Sequence, residues 1–173
     1  FETIRISDDL DFDLVSGITA VQVTGASSKS YTDMTATQAA NVQIRGDETS
    51  ATFALKTATG SSDVLSLTMG TGLTTSAASD VVTGITVTGF ETVNIAENGG
   101  ATASAGADQT AIIAAFTGAT LNDVNLTGRA VTITDVATTV AVDIDGSALT
   151  GNGNTGTAIQ GLTVAGSAVA GST

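Results

Sequence analysis

Hydrophobic and polar residues alternate with a period of two along almost the whole chain. Val21-Gln22-Val23-Thr24-Gly25 is followed by Val42-Gln43-Ile44-Arg45-Gly46, Leu65-Ser66-Leu67-Thr68-Met69-Gly70 and Ile85-Thr86-Val87-Thr88-Gly89. Val93-Asn94-Ile95, Val124-Asn125-Leu126-Thr127-Gly128, Val131-Thr132-Ile133, Val140-Ala141-Val142-Asp143-Ile144 and Leu162-Thr163-Val164-Ala165-Gly166 continue the series, and Glu2-Thr3-Ile4-Arg5-Ile6 already reads as a strand. Alternating β-branched residues closed by glycine predict short strands ending in turns. The runs recur roughly every 20 residues, drifting between about 8 and 30, which is the mark of an imperfect repeat. Each strand is too short to bury a face alone, so stacked neighbours must supply the core. The expected fold is all-β: a parallel β-solenoid or β-helix-like stack of short strands, with a β-sandwich as the alternative. The scarcity of hairpin turns flanked by matched strands favours the parallel form.

Two segments break the alternation. Asp33 to Asn41 (DMTATQAAN) reads as one helical turn or an extended loop. Asp108 to Phe116 places Ile112, Ile113 and Phe116 at helical spacing, which predicts a short helix over 108–116; a buried strand is the alternative for so short an apolar run. Gly99 to Gly106 and Thr150 to Thr157 are loops by composition. No segment loses its strands for long enough to be a linker, so residues 1–173 are expected to form a single β-repeat segment. The chain starts in mid-pattern at Phe1, without an initiator Met or a signal-peptide pattern, and is expected to be a piece or processed product of a longer protein.

Composition narrows the function classes. The chain has no Cys, Pro, Trp or His, 5 Lys and Arg against 17 Asp and Glu, and a net charge of −12. Five scattered cations cannot form the counterion-releasing footprint that nucleic acid requires, and acidic membranes are disfavoured for the same reason. No run of ~18 apolar residues exists to insert in a membrane. Aromatics make up only 3% of the residues, so the core must be assembled from many thin layers of Val, Ile, Leu and Ala. That suits a slim stack of sheets better than a thick globule. Without His or Cys, the usual Ser–His and Cys–His nucleophile pairs are impossible. A carboxylate pair can hydrolyse glycosides, but the aromatics that normally line a sugar cleft are scarce. Gly151 to Gly156 lacks the Lys and the helix start of a phosphate loop. The expectation is a protein that is not an enzyme.

Ser62 to Asn98, SDVLSLTMGTGLTTSAASDVVTGITVTGFETVNIAEN, carries an S-D-x-L-x-L strand, a small-residue connection and then I-x-V-x-G-F-E-T-V-N-I. Leu121 to Ala165 holds a second set of phrases, VNLTGRAVTITD, VDIDGSALTG and GLTVAG. In these phrases the chain resembles the β-strand repeats of large type I-secreted bacterial surface proteins, including calcium-dependent S-layer proteins of the RTX class and large adhesins. The resemblance covers most of the chain and is weakest over the first 60 residues. The RTX nonapeptide G-G-x-G-x-D-x-U-x is absent, so it extends to the irregular structural repeats and not to the nonapeptide β-roll. It implies export in an unfolded state, folding outside the cell and assistance by Ca²⁺. The composition fits independently, because an excess of carboxylates repels itself until a divalent cation screens it.

Hard oxygen ligands suit Ca²⁺, which takes six to eight oxygens. The densest acidic patch is Asp8, Asp9, Asp11 and Asp13; an extended Asp9-x-Asp11-x-Asp13 would set three carboxylates on one face. A solvated acidic turn is the plainer reading. Asp143 and Asp145 share one strand face ahead of Gly146; the later ligands of an EF-hand loop are missing, so a metal site at a sheet edge or an exposed strand end remains. Asp63 and Glu91 each sit at the start of a strand and would meet at a corner if those strands are adjacent; otherwise Glu91 caps a turn. Asp47-Glu48 is the weakest candidate and reads as a solvated turn. Asn125-Leu126-Thr127 matches a glycosylation sequon formally but lies inside an expected strand.

The functional expectation is a structural, self-assembling component of a bacterial S-layer, extracellular at the cell surface. Its partners would be copies of itself, bridged by Ca²⁺, with any cell-surface polysaccharide held by regions outside this chain. The alternative is a repeat stalk or binding module of a large secreted adhesin. A third reading is the non-catalytic part of a secreted RTX-type hydrolase.

Overall fold

The computed structural model describes residues 2–25, 27–45, 48–69, 80–97, 111–138, 141–150 and 162–164. The first half runs β1 (Glu2–Ile6), β2 (Leu10–Asp11), a 3-10 turn (Phe12–Leu14), β3 (Ile18–Val23), β4 (Lys29–Met34), α1 (Ala36–Ala39), β5 (Val42–Ile44), β6 (Glu48–Leu55) and β7 (Val64–Met69). The second half runs β8 (Asp80–Thr88), β9 (Thr92–Glu97), β10 (Ala111–Gly118), β11 (Asp123–Gly128), β12 (Val131–Ile133), β13 (Val136–Thr138), β14 (Asp143–Leu149) and β15 (Leu162–Val164).

Successive strands are dealt alternately into two sheets. Sheet A has the order β1-β3-β5-β7-β9-β11-β14; sheet B has the order β15-β12-β10-β8-β6-β4-β2, with β13 also on β10. Every strand pairing among the described residues is parallel. Parallel neighbours cannot be joined by a tight hairpin, which accounts for the missing hairpin turns. Each strand instead pairs with one that lies beyond an intervening strand of the other sheet.

The alternation in the sequence becomes an inside and an outside. In sheet A, Leu65, Leu67 and Met69 point inward from β7, and Val93 and Ile95 from β9; Ser66, Thr68 and Asn94 lie on the outer side. The buried residues of both sheets form one hydrophobic cluster. Aliphatic layers dominate it, but Phe12, Tyr31, Phe53, Phe90 and Phe116 are buried as well. Tyr31 and Phe53 are register partners on β4 and β6 and stack at 5.4 Å between ring centroids. The few aromatics are thus spent inside the core.

The helical turn at Asp33 to Asn41 is α1. Thr35 accepts from the Gln38 N–H while the Gln38 side chain accepts from the Thr35 N–H, a complete capping box. The helix expected over 108–116 is corrected: from Ala111 this segment is strand β10. Residues 108–110 lie outside the described set. A helix of nine residues is marginal on its own. As a strand, the same apolar run pairs with β8 on one side and β12 and β13 on the other. Ile113 and Phe116 reach the core from this strand, whereas Ile112 is only half-buried on the outer side. The loops expected at 99–106 and 151–157 also lie outside the described residues.

Two glycines are fixed by close approach. Gly128 has φ of +101°, and a Cβ there would sit 2.0 Å from the Glu97 carbonyl oxygen on the neighbouring strand. At Gly118 a Cβ would meet Val87 Cγ2 at 2.7 Å and Leu121 Cβ at 2.9 Å.

Candidate functional site

The N-terminal acidic patch is spread over three local structures. Asp8 and Asp9 follow β1, Asp11 ends β2, and Asp13 lies in the 3-10 turn that buries Phe12. The turn breaks the extended alternation that would have put three carboxylates on one face. Each carboxylate faces a donor from the protein. Lys29 Nζ reaches Asp8 Oδ1 at 3.2 Å, and the Ser30 N–H donates to Asp9 Oδ1 at 2.7 Å. The Asp13 N–H donates to Asp11 Oδ1 at 2.9 Å, and Lys56 Nζ donates to Asp13 Oδ1. The hydrogen bond to Asp13 raises the pKa of Lys56, and the charges of Asp13, Asp33 and Asp11 add to it against a smaller cost of desolvation. Both lysines therefore tie the patch to the next strands of sheet B.

Asp63 and Glu91 do meet. They precede β7 and β9, which are neighbours with Val64 in register with Thr92. Glu91 is buried, and its Oε2 accepts the Asp63 N–H at 2.9 Å. The Asp63 carbonyl in turn accepts the N–H groups of Glu91 and Thr92, and the Asp63 carboxylate accepts the Thr59 N–H at 2.9 Å. The corner continues to the next strand, where Asn122 and Asp123 donate their N–H groups to the Glu91 carbonyl. Asp63 also borders an open crevice of about 260 Å³ lined by Met34, Thr35, Leu55, Lys56 and Thr59.

Asp143 and Asp145 lie exposed on one side of β14. Asp143 is in register with Asp123 of β11, and Asp145 with Asn125. Asp145 Oδ1 accepts the Ser147 N–H at 2.8 Å, and hydrogen bonds from the Ser147 side chain and backbone lower its pKa. Asp47 and the Glu48 side chain lie outside what the structure describes.

A calcium cage needs several carboxylates converging on one point. Among the described residues, no group of three or more Asp or Glu side chains is placed to hold a metal ion. The carboxylates fit a cation as scattered single ligands, not as one preformed cage.

Polar ladders on the outer face of sheet A were not singled out from the sequence. Gln22 Nε2 donates to Gln43 Oε1 at 3.0 Å, and Asn125 Nδ2 to Asn94 Oδ1 at 3.0 Å; Asn94 Nδ2 lies 3.5 Å from Ser66 Oγ. Glu97 was missed too. It is buried at the end of β9, and its Oε2 accepts the Arg129 N–H at 3.0 Å. The signal for the ladders was present in the repeated phrases Val-Gln-Val and Val-Gln-Ile, and Val-Asn-Ile and Val-Asn-Leu. Comparison with protein-family models, curated proteins and solved structures returned no match, so function is argued from the chain's own geometry.

Proposed function

We propose that the chain is a structural segment of a bacterial surface layer, secreted and assembling with copies of itself, whose alternating strands wind as rungs of a parallel β-solenoid. The observation that carries the reading is the side-chain ladder. Gln stands beside Gln and Asn beside Asn on adjacent strands, and each rung presents to the next what the previous one presented to it. Such a stack builds a uniform rod whose stability comes from nearest neighbours. Its purpose is to hold shape, and no catalytic role is assigned.

Ca²⁺ is the natural counterion in this reading. Asp123 and Asp143 stand exposed on adjacent strands, where like charges repel. A divalent cation held between such pairs, within one copy or between two, relieves the repulsion and bridges copies that otherwise repel through their net charge of −12.

The test is light scattering and negative-stain microscopy with Ca²⁺ and with EGTA. Sheets or filaments that form with Ca²⁺ and dissolve in EGTA are the expected result. A monomer indifferent to both overturns the assembly mechanism and leaves the adhesin stalk as the better reading.

A further inference from the structure

The outer face of sheet B differs in charge from the rest of the molecule. On β6 the outward residues are Ser50, Thr52 and Ala54; on β8 they include Val81, Gly84, Thr86 and Thr88. On β10 they are Ile112, Ala114, Ala115 and Thr117, and on β12 Thr132. Register aligns them in rows: Ser50 with Gly84 and Ala115, Thr52 with Thr86 and Thr117, and Val81 with Ile112 and Thr132. None of these outward positions is charged, in a chain with 22 charged residues from 5 Lys and Arg plus 17 Asp and Glu. Elsewhere the described surface is acidic, and Asp123 and Asp143 stand exposed on the outer side of sheet A.

We infer that this face of sheet B is the contact through which a second copy of the chain docks, sheet against sheet. The inference rests on the self-assembly reading above and names its surface. Two copies of the same acidic chain repel wherever their carboxylates meet, so the approach that costs least is through the face that has none. Its side chains are small, so two such faces can pack closely, with methyl groups of Thr, Ala, Val and Ile in contact. Size permits it as well. Nine residues of β8 at ~3.3 Å each, across four strands ~4.8 Å apart, give roughly 550 Å² per copy. The total of roughly 1,100 Å² clears the level of about 1,000 Å² expected of a specific contact. The same patch on both copies makes the pairing isologous and closed. Growth into a lattice then needs a second kind of contact, for which the exposed carboxylates and Ca²⁺ remain.

The test compares the unaltered chain with Thr86→Glu at the middle of the central row, and with Thr127→Glu on the outer face of sheet A as a matched control. Sedimentation velocity over a concentration series is run with EGTA and with Ca²⁺, and circular dichroism checks that each variant is folded. The expected result is a dimer in EGTA for the unaltered chain and Thr127→Glu, with dissociation weakened roughly 100-fold or more in Thr86→Glu by like charges facing across the contact. Thr117→Glu, the exposed neighbour in the same row, replaces Thr86→Glu if that variant fails to fold. Dimers formed equally well by Thr86→Glu overturn the inference and leave the scaffold reading standing. Equal loss in Thr127→Glu also overturns it, because the effect is then one of charge alone. An unaltered chain that is monomeric in EGTA but assembles with Ca²⁺ overturns the inference, and one that is monomeric in both overturns the scaffold reading as well.

Discussion

Glu91 and Glu97 stand at the two ends of β9 and act in opposite directions along the stack. Glu91 takes the N–H of Asp63 on the preceding strand of sheet A, and Glu97 takes the N–H of Arg129 beyond the following one. Both are buried, where an unmet backbone donor is expensive. Glu91→Ala is expected to destabilise the fold by about 1–3 kcal/mol in urea melts, and Glu91→Gln, which keeps an acceptor oxygen, by distinctly less. Asp145 offers a gentler test. Its lowered pKa means that its contribution to stability is present at neutral pH and is lost as the pH falls through that lowered value. Ser147→Ala is expected to return the Asp145 titration upward toward the ordinary carboxylate range, followed by NMR. Lys56 runs the other way: its pKa is raised, so the benefit of its pairing with Asp13 is full below the ordinary lysine value and fades at more alkaline pH. The meeting of Asp63 with Glu91 was legible because both open strands within one recognised phrase. The pairing of Asp13 with Lys56 was not, since it depends on the 3-10 turn around Phe12 and on a partner 43 residues away.

At the level of elements, sheet A was the easier sheet to read. Its strands β3, β5, β7, β9 and β11 are the clean alternating runs Val-Gln-Val, Val-Gln-Ile, Leu-Ser-Leu, Val-Asn-Ile and Val-Asn-Leu. Sheet B hid β4, β6 and β10. Tyr31 and Met34 are both buried on β4, which has a register shift between them, and Asp33 there adopts φ of +57°. On β10 two successive residues, Ala114 and Ala115, lie between the buried Ile113 and Phe116. Each irregularity shifts the inward positions from every second residue to every third, and a three-residue step imitates a helix. That is how 108–116 came to resemble one. Phe116→Ala is expected to cost about 3–5 kcal/mol, with exchange protection lost along β8, β10 and β13 together, since β10 pairs with both others. Gly128→Ala tests the spacing of sheet A itself. With φ of +101° and the Glu97 carbonyl in the way, the expected loss is about 3 kcal/mol or more in a thermal or urea melt.

For the whole molecule, the periodicity argued for stacked parallel strands and the structure has two parallel sheets around one core. What periodicity could not supply was register. Connections differ in length, so the repeat drifts, and only the packed core decides which residue stands beside which. Gln22 and Gln43 are 21 residues apart, whereas Asn94 and Asn125 are 31 apart, yet each pair makes the same kind of ladder contact.

The alternate dealing of strands between the sheets has a kinetic consequence. A strand's earlier neighbour has already been made when the strand emerges, and its later neighbour follows two strands on. Order can then spread from one end as the chain is delivered, with each new pair of strands templated on the last, and no early segment waits for a distant late one. A chain ended after Glu97 keeps both neighbours of every strand from β3 to β7. It is expected to retain β structure by circular dichroism, with a transition less steep than that of the full chain. A protein threaded through a narrow exit gains from such a design, because the part already outside can set while the rest is still a string.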